Sequence, residues 1–110
     1  MRTITVVAPL ILGLVASVAH AQKVERGMQV YADQKCSRCH SIDGKGNAKG
    51  SLDGVGSKLT GEEVRQWLTN PEEMTKKANA KRKPMMKSYP SLSQEDQDAI
   101  VAYMLSLKKK

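Results

Sequence analysis

Phenylalanine is absent from this 110-residue chain, and aromatics reach only 4%. Beyond Ala21, Leu, Ile and Val together supply 13 residues of 89, about 15%, below the ~20% under which a highly charged chain is expected to stay disordered. The length suits one small domain and leaves no room for a separate catalytic domain. There are two cysteines and two histidines, so a four-ligand zinc site lacks donors once His20 is set aside. No stretch alternates apolar and polar residues convincingly, which removes the strand surroundings that a thioredoxin-like dithiol needs. No G-x-x-x-x-G-K-[ST] string occurs, which argues against a phosphate-cradling loop.

Several positive features stand against that background. Arg2, the apolar run from Val6 to Ala16 and the small residues of Ala19-His20-Ala21 read as an export signal cleaved after Ala21. An uncleaved anchor fits less well, because Pro9 and Gly13 interrupt a run already short of the ~20 apolar residues that span a bilayer. Two domain assignments follow: residues 1–21 as signal peptide and 22–110 as the working domain, exported to the periplasm. The whole chain carries a formal +7, and loss of Arg2 leaves +6.

Three helical segments with good caps argue against disorder, so a bound group must supply the missing apolar interior. Cys36-Ser37-Arg38-Cys39-His40 is the place for it. As a disulfide, the Cys pair would close too small a loop to constrain the unfolded chain much. Two thiols one helical turn apart can each add to a vinyl group on one porphyrin edge, which holds His40 beneath the iron. The pattern points to one covalent haem c on Cys36 and Cys39, with His40 as a metal ligand; a redox dithiol or another metal site are the alternatives. The second ring nitrogen of His40 then needs an acceptor.

Val24, Gly27, Met28 and Tyr31 share one helical face, and Ile100, Tyr103, Met104 and Leu107 repeat the spacing near the other end. These stripes are expected to pack together, with Gly27 allowing close approach and Tyr31 or Tyr103 filling the crossing. Ser93 reads as an N-cap ahead of Glu95 and Asp96, with Lys108 to Lys110 at the helix finish. Thr60-Gly61-Glu62-Glu63 reads as a capping box for a helix that turns Val64, Trp67 and Leu68 inward and stops at Asn70-Pro71. A further short helix can follow. Residues 44–56, with five of the eight glycines, form a loop.

The arrangement resembles a class I c-type cytochrome of the small bacterial monohaem kind over essentially all of 22–110. The match runs from the N-terminal helix and C-x-x-C-H through the Gly-rich loop and the Leu-Thr-x-Glu helix. It continues without a gap from Met86-Lys87-Ser88-Tyr89-Pro90-Ser91-Leu92-Ser93 to Val101-Ala102-Tyr103. The resemblance implies an all-α fold of three to five helices wrapped around one haem, with Met86 as the distal ligand. Chemistry alone leaves Met85 and Met86, which share a loop after Pro84; Met28 and Met104 sit on helical apolar faces as core filler. Many relatives place a proline whose carbonyl accepts from the proximal imidazole, and residues 41–70 contain none. A carbonyl between Leu52 and Gly56 is the expected substitute. Trp67 either reaches a haem propionate, as the family arranges, or is a half-buried core aromatic.

Iron held on both sides has no vacancy for a substrate, so the expected function is one-electron carriage, not enzymatic catalysis. The alternative is a haem subunit of a periplasmic dehydrogenase or sulfur-oxidising complex. Lys76, Lys77, Lys81, Arg82, Lys83 and Lys87 fall within twelve residues. They read equally as a solvated loop or as a basic rim steering redox partners with acidic docking surfaces. A monomer is expected, meeting membranes only through partner complexes, and nucleic acid is not an expected partner.

Overall fold

The computed structural model describes residues 3–5 and 12–110, with side chains of the first helix described from Val15 onward. Arg2 and residues 6–11 of the expected signal lie outside the described residues. Among the described residues there are four α-helices: α1 (Leu12–Asp33), α2 (Gly61–Thr69), α3 (Pro71–Lys77) and α4 (Gln94–Ser106). One two-stranded antiparallel hairpin, β1 (Ser41–Ile42) and β2 (Lys45–Gly46), interrupts the loop after Cys39, with Ser41 opposite Gly46. Among the described residues no helix is long and apolar enough to cross a membrane.

α1 continues through Ala21, but residues 15–23 are exposed throughout and its packing begins at Val24. Gly27 is the point of closest approach to α4, where a Cβ would collide with the Ala99 carbonyl and the Tyr103 Cβ. The buried face therefore centres on Gly27. At about 100° per residue Val30 lies ~60° to one side, Val24 and Tyr31 lie on the other, and Met28 is turned ~100° away. Met28 is accordingly 51% exposed, and Val30, 2% exposed, takes the core position expected of it. Both tyrosines fill the crossing, edge to face at 5.8 Å between ring centroids.

α4 begins as its sequence requires: the Ser93 hydroxyl accepts from the Asp96 amide at 3.1 Å. Its first two turns also grip the other helices. Asp96 accepts from Arg26 of α1 at 3.0 and 3.2 Å, and Asp98 and Gln97 accept from Arg65 of α2. The helix stops at Ser106, so the terminal lysines do not form its last turn. Lys108 instead folds back to donate to the Gly56 carbonyl at 2.9 Å, while the Gly56 amide donates to Leu107.

α2 opens with the full capping box. The Thr60 hydroxyl accepts from the Glu63 amide at 3.2 Å and the Glu63 carboxylate from the Thr60 amide at 3.0 Å. Val64 and Leu68 are buried and Trp67 is half-buried. Asn70 ends α2, and Pro71 occupies the first turn of α3, where its missing N–H costs nothing. The core joins Val30, Ile42, Val64, Leu68, Ile100 and Met104 across three helices and the hairpin. The segment from Ala78 to Ser93 lies over it without a helix of its own, and is tied to α2 where the Tyr89 amide donates to the Leu68 carbonyl at 2.7 Å.

Candidate functional site

Asp33 ends α1, and Lys35 adopts a left-handed conformation (φ 58°) that throws the chain into the short 3-10 turn Cys36–Arg38. The amides of Cys39 and His40 both donate to the Cys36 carbonyl. That turn sets both free thiols, Cys36 half-buried and Cys39 exposed, on the rim of one cavity of about 400 Å³. His40 borders the same cavity. Leu52, Leu59, Val64, Leu68 and Ile100 give it an apolar lining, while Met85 and Met86 enter from the loop before α4.

The His40 ring is held by its own loop. Nδ1 lies 2.9 Å from the Gly50 carbonyl oxygen. A carbonyl can only accept, so Nδ1 carries the proton and Nε2 keeps its lone pair. Burial holds the imidazole below its ordinary range, and the nearby Arg82 guanidinium acts in the same direction against the opposing Gly50 hydrogen bond. A neutral imidazole with a free Nε2 is the form that binds a metal. The acceptor is thus Gly50, two residues before the expected stretch, because the chain reverses at the hairpin and runs back past the histidine. Burial pushes the Cys36 thiol up, with Lys87 opposing.

The two methionines differ. Met86 is half-buried and packs on the core cluster, whereas Met85 is 42% exposed. Met104 is buried core, as expected, although it also borders the cavity; Met74, in α3, does not border it. Trp67 is half-buried and borders the cavity.

Of the basic run, Lys76, Lys77, Lys81, Lys83 and Lys87 are exposed, and Lys87 lies 5.3 Å from the Tyr89 ring centroid. Arg82 is different: it is half-buried, borders the cavity and donates from Nη1 to the Cys39 carbonyl. Neither Arg82 nor the Gly50 acceptor is marked by sequence; one is hidden in a charge run and the other in a glycine-rich loop.

The donor set fits a planar iron porphyrin. Two thiols and an unengaged imidazole nitrogen share one short turn, a thioether comes from another segment, and the intervening lining is apolar. Cys36 and Cys39 would form the thioether bonds, and such a group would supply a one-electron iron couple.

Fold and site together define a small, mainly helical protein built to carry a covalently attached haem. The family model for cytochrome c matches residues 24–108, and the chain belongs to that family. Over 92 residues it is 32% identical to the cytochrome c oxidase subunit 2 of Alkalihalophilus pseudofirmus, a stretch that covers 76% of this chain and 25% of that protein. The chain thus spans about a quarter of the length of the curated relative it matches. No solved structure gives a significant match. Membership implies covalent haem c as the cofactor, with Cys36 and Cys39 spaced as its attachment motif.

Proposed function

We propose that this chain is an exported one-electron carrier with a single haem c on Cys36 and Cys39, ligated by His40 and Met86. The observation that carries the reading is the convergence of both cysteines, His40 and Met86 on one apolar cavity. The Met86 thioether would give iron a soft, weak donor that favours the ferrous state, and the apolar surround would disfavour the extra charge of the ferric state. Both raise the reduction potential. His40, oriented by the Gly50 hydrogen bond, and Met86, half-buried against the core, would hold the iron. With His40 and Met86 both held by it, the iron would exchange electrons without binding substrate, which makes this protein a carrier and not an enzyme.

Export to the periplasm with loss of residues 1–21 fits this role, since the exposed 15–23 segment of α1 contributes nothing to the core. The exposed lysines of the 76–87 segment, sequence neighbours of the cavity-lining Arg82, Met85 and Met86, favour redox partners with acidic docking surfaces. A second reading is a haem module working within a larger complex, and similarity to about a quarter of an oxidase subunit favours it.

Mass spectrometry and an optical spectrum of protein exported by a host with the haem-attachment machinery test the proposal. The expected result is a chain starting at Gln22 carrying one haem, with a far-red band from a sulfur–iron bond in the ferric state. A colourless folded protein, or a haem spectrum without that band, overturns it. Purification as a stable monomer supports the free carrier, and constant co-purification with a catalytic subunit supports the second reading.

A further inference from the structure

Arg82 is set apart from its basic neighbours by where its guanidinium goes. Nη1 donates to the Cys39 carbonyl, forty-three residues earlier in the chain. The same nitrogen and that carbonyl, with His40 Nδ1 at 3.0 Å, crowd the place where a side chain on residue 50 would begin. Gly50 is therefore the residue that leaves space for the guanidinium, and Gly50 also supplies the carbonyl that fixes His40. Among the described residues no carboxylate pairs with Arg82; the ion pairs present are Arg26–Asp96, Arg65–Asp98 and Lys76–Glu72. An unpaired cation is thus held against the backbone of the haem-attachment turn, three residues before Met85 and four before Met86. It joins the segment carrying the distal methionines to the segment carrying the proximal histidine.

We infer that Arg82 is a positioning residue: a latch that ties the Met86 loop to the Cys39-His40 turn, resists displacement of the Met86 sulfur, and lifts the reduction potential through its unpaired charge. The inference rests on the His40/Met86 reading. A charge-assisted bond to a carbonyl is stronger than a neutral one, and its loss frees a segment that has no helix to hold its shape. The charge acts on the metal electrostatically, since a fixed cation beside the ligand disfavours the more positive ferric state.

The test uses exported holoprotein with haem attached, cyanide as the probe of the distal position, and Arg82→Gln, Arg82→Lys and Lys83→Gln. Arg82→Gln is expected to bind cyanide in the ferric state about tenfold faster than the parent and to show a lower midpoint potential. Arg82→Lys, which keeps a charged donor, restores both to near the parent. Lys83→Gln removes an exposed charge from the same loop and leaves cyanide binding unchanged. An Arg82→Gln protein with the parent's helix content and a cyanide rate within about twofold of it overturns the latch. So does a Lys83→Gln variant that reproduces its effect.

A second measurement needs no variant. In the parent holoprotein the Arg82 guanidinium protons are expected to exchange slowly and to show magnetic contact with the Cys39-His40 turn; a mobile, fast-exchanging guanidinium overturns the latch even if Arg82→Gln does not accumulate. Failure of the ligand reading looks different, as it removes the far-red band from the parent itself.

Discussion

At the scale of single residues, the tandem methionines divide one chemistry between two environments. Met86 is packed on the core and Met85 is 42% exposed, so loss of each has a separate signature. Met86→Ala is expected to abolish the far-red sulfur–iron absorption of the ferric protein, while Met85→Ala retains it; an optical spectrum of each variant distinguishes them, and the reverse result moves the ligand to Met85. Tyr31 carries a second residue-scale prediction. Its hydroxyl is buried with no hydrogen-bond partner among the described residues, and burial pushes the phenol from its ordinary 10 up to about 12. The unfolded chain therefore loses this proton first, and the stability linked to it is complete below pH 10 and falls as pH rises towards about 12. Tyr31→Phe should make alkaline unfolding shallower across that interval without lowering the thermal midpoint at neutral pH. A parent-like alkaline profile in the variant shows that the phenol does not contribute to this loss.

At the scale of elements, stability concentrates where α1 crosses α4 and where α2 begins. Gly27 faces the Ala99 carbonyl and the Tyr103 Cβ with no room for a methyl group. Gly27→Ala must push the helices apart, and the expected cost is about 1–3 kcal/mol in denaturant unfolding of the holoprotein. An unaltered midpoint shows that the crossing yields freely. The capping box of α2 is exposed, so Thr60→Ala should cost only about 1 kcal/mol by the same measurement and leave the haem spectrum unchanged. The order matters more than either value: the crossing should exceed the cap. A Thr60→Ala loss above that of Gly27→Ala shows instead that α2 anchors the cavity.

At the scale of the whole molecule, the legible parts were those governed by local rules. The Ser93 cap, the Thr60–Glu63 box, the stop at Asn70-Pro71 and the spacing of Cys36, Cys39 and His40 each depend on neighbours within about four residues, and all appear where the sequence puts them. Periodicity placed Met28 on the buried face, yet which arc of α1 is buried is decided by the closest approach at Gly27, a contact 72 residues distant in sequence with Ala99. The same limit hid the Gly50 acceptor and the Arg82 bond to Cys39, which exist only after the hairpin and the Met loop have folded back. Composition carried one global statement, and the structure gives it form. Among the described residues eight hydrophobic side chains are buried, two of them alanines, and four of the eight (Val64, Leu68, Ile100 and Met104) line a cavity of about 400 Å³. A domain this small recovers little apolar burial against the entropy of ordering its chain, so a core arranged around a hollow is short of contacts. The attached haem should therefore be part of the folding free energy, as ligand linkage requires when binding and folding share one site. Cys36→Ser/Cys39→Ser, expressed for export in the host that matures the parent, is expected to yield little compact protein and a broad thermal transition by circular dichroism. A sharp, cooperative transition in that haem-free chain would show that the polypeptide closes its own core, and that the cavity tolerates collapse without the group it is shaped to hold.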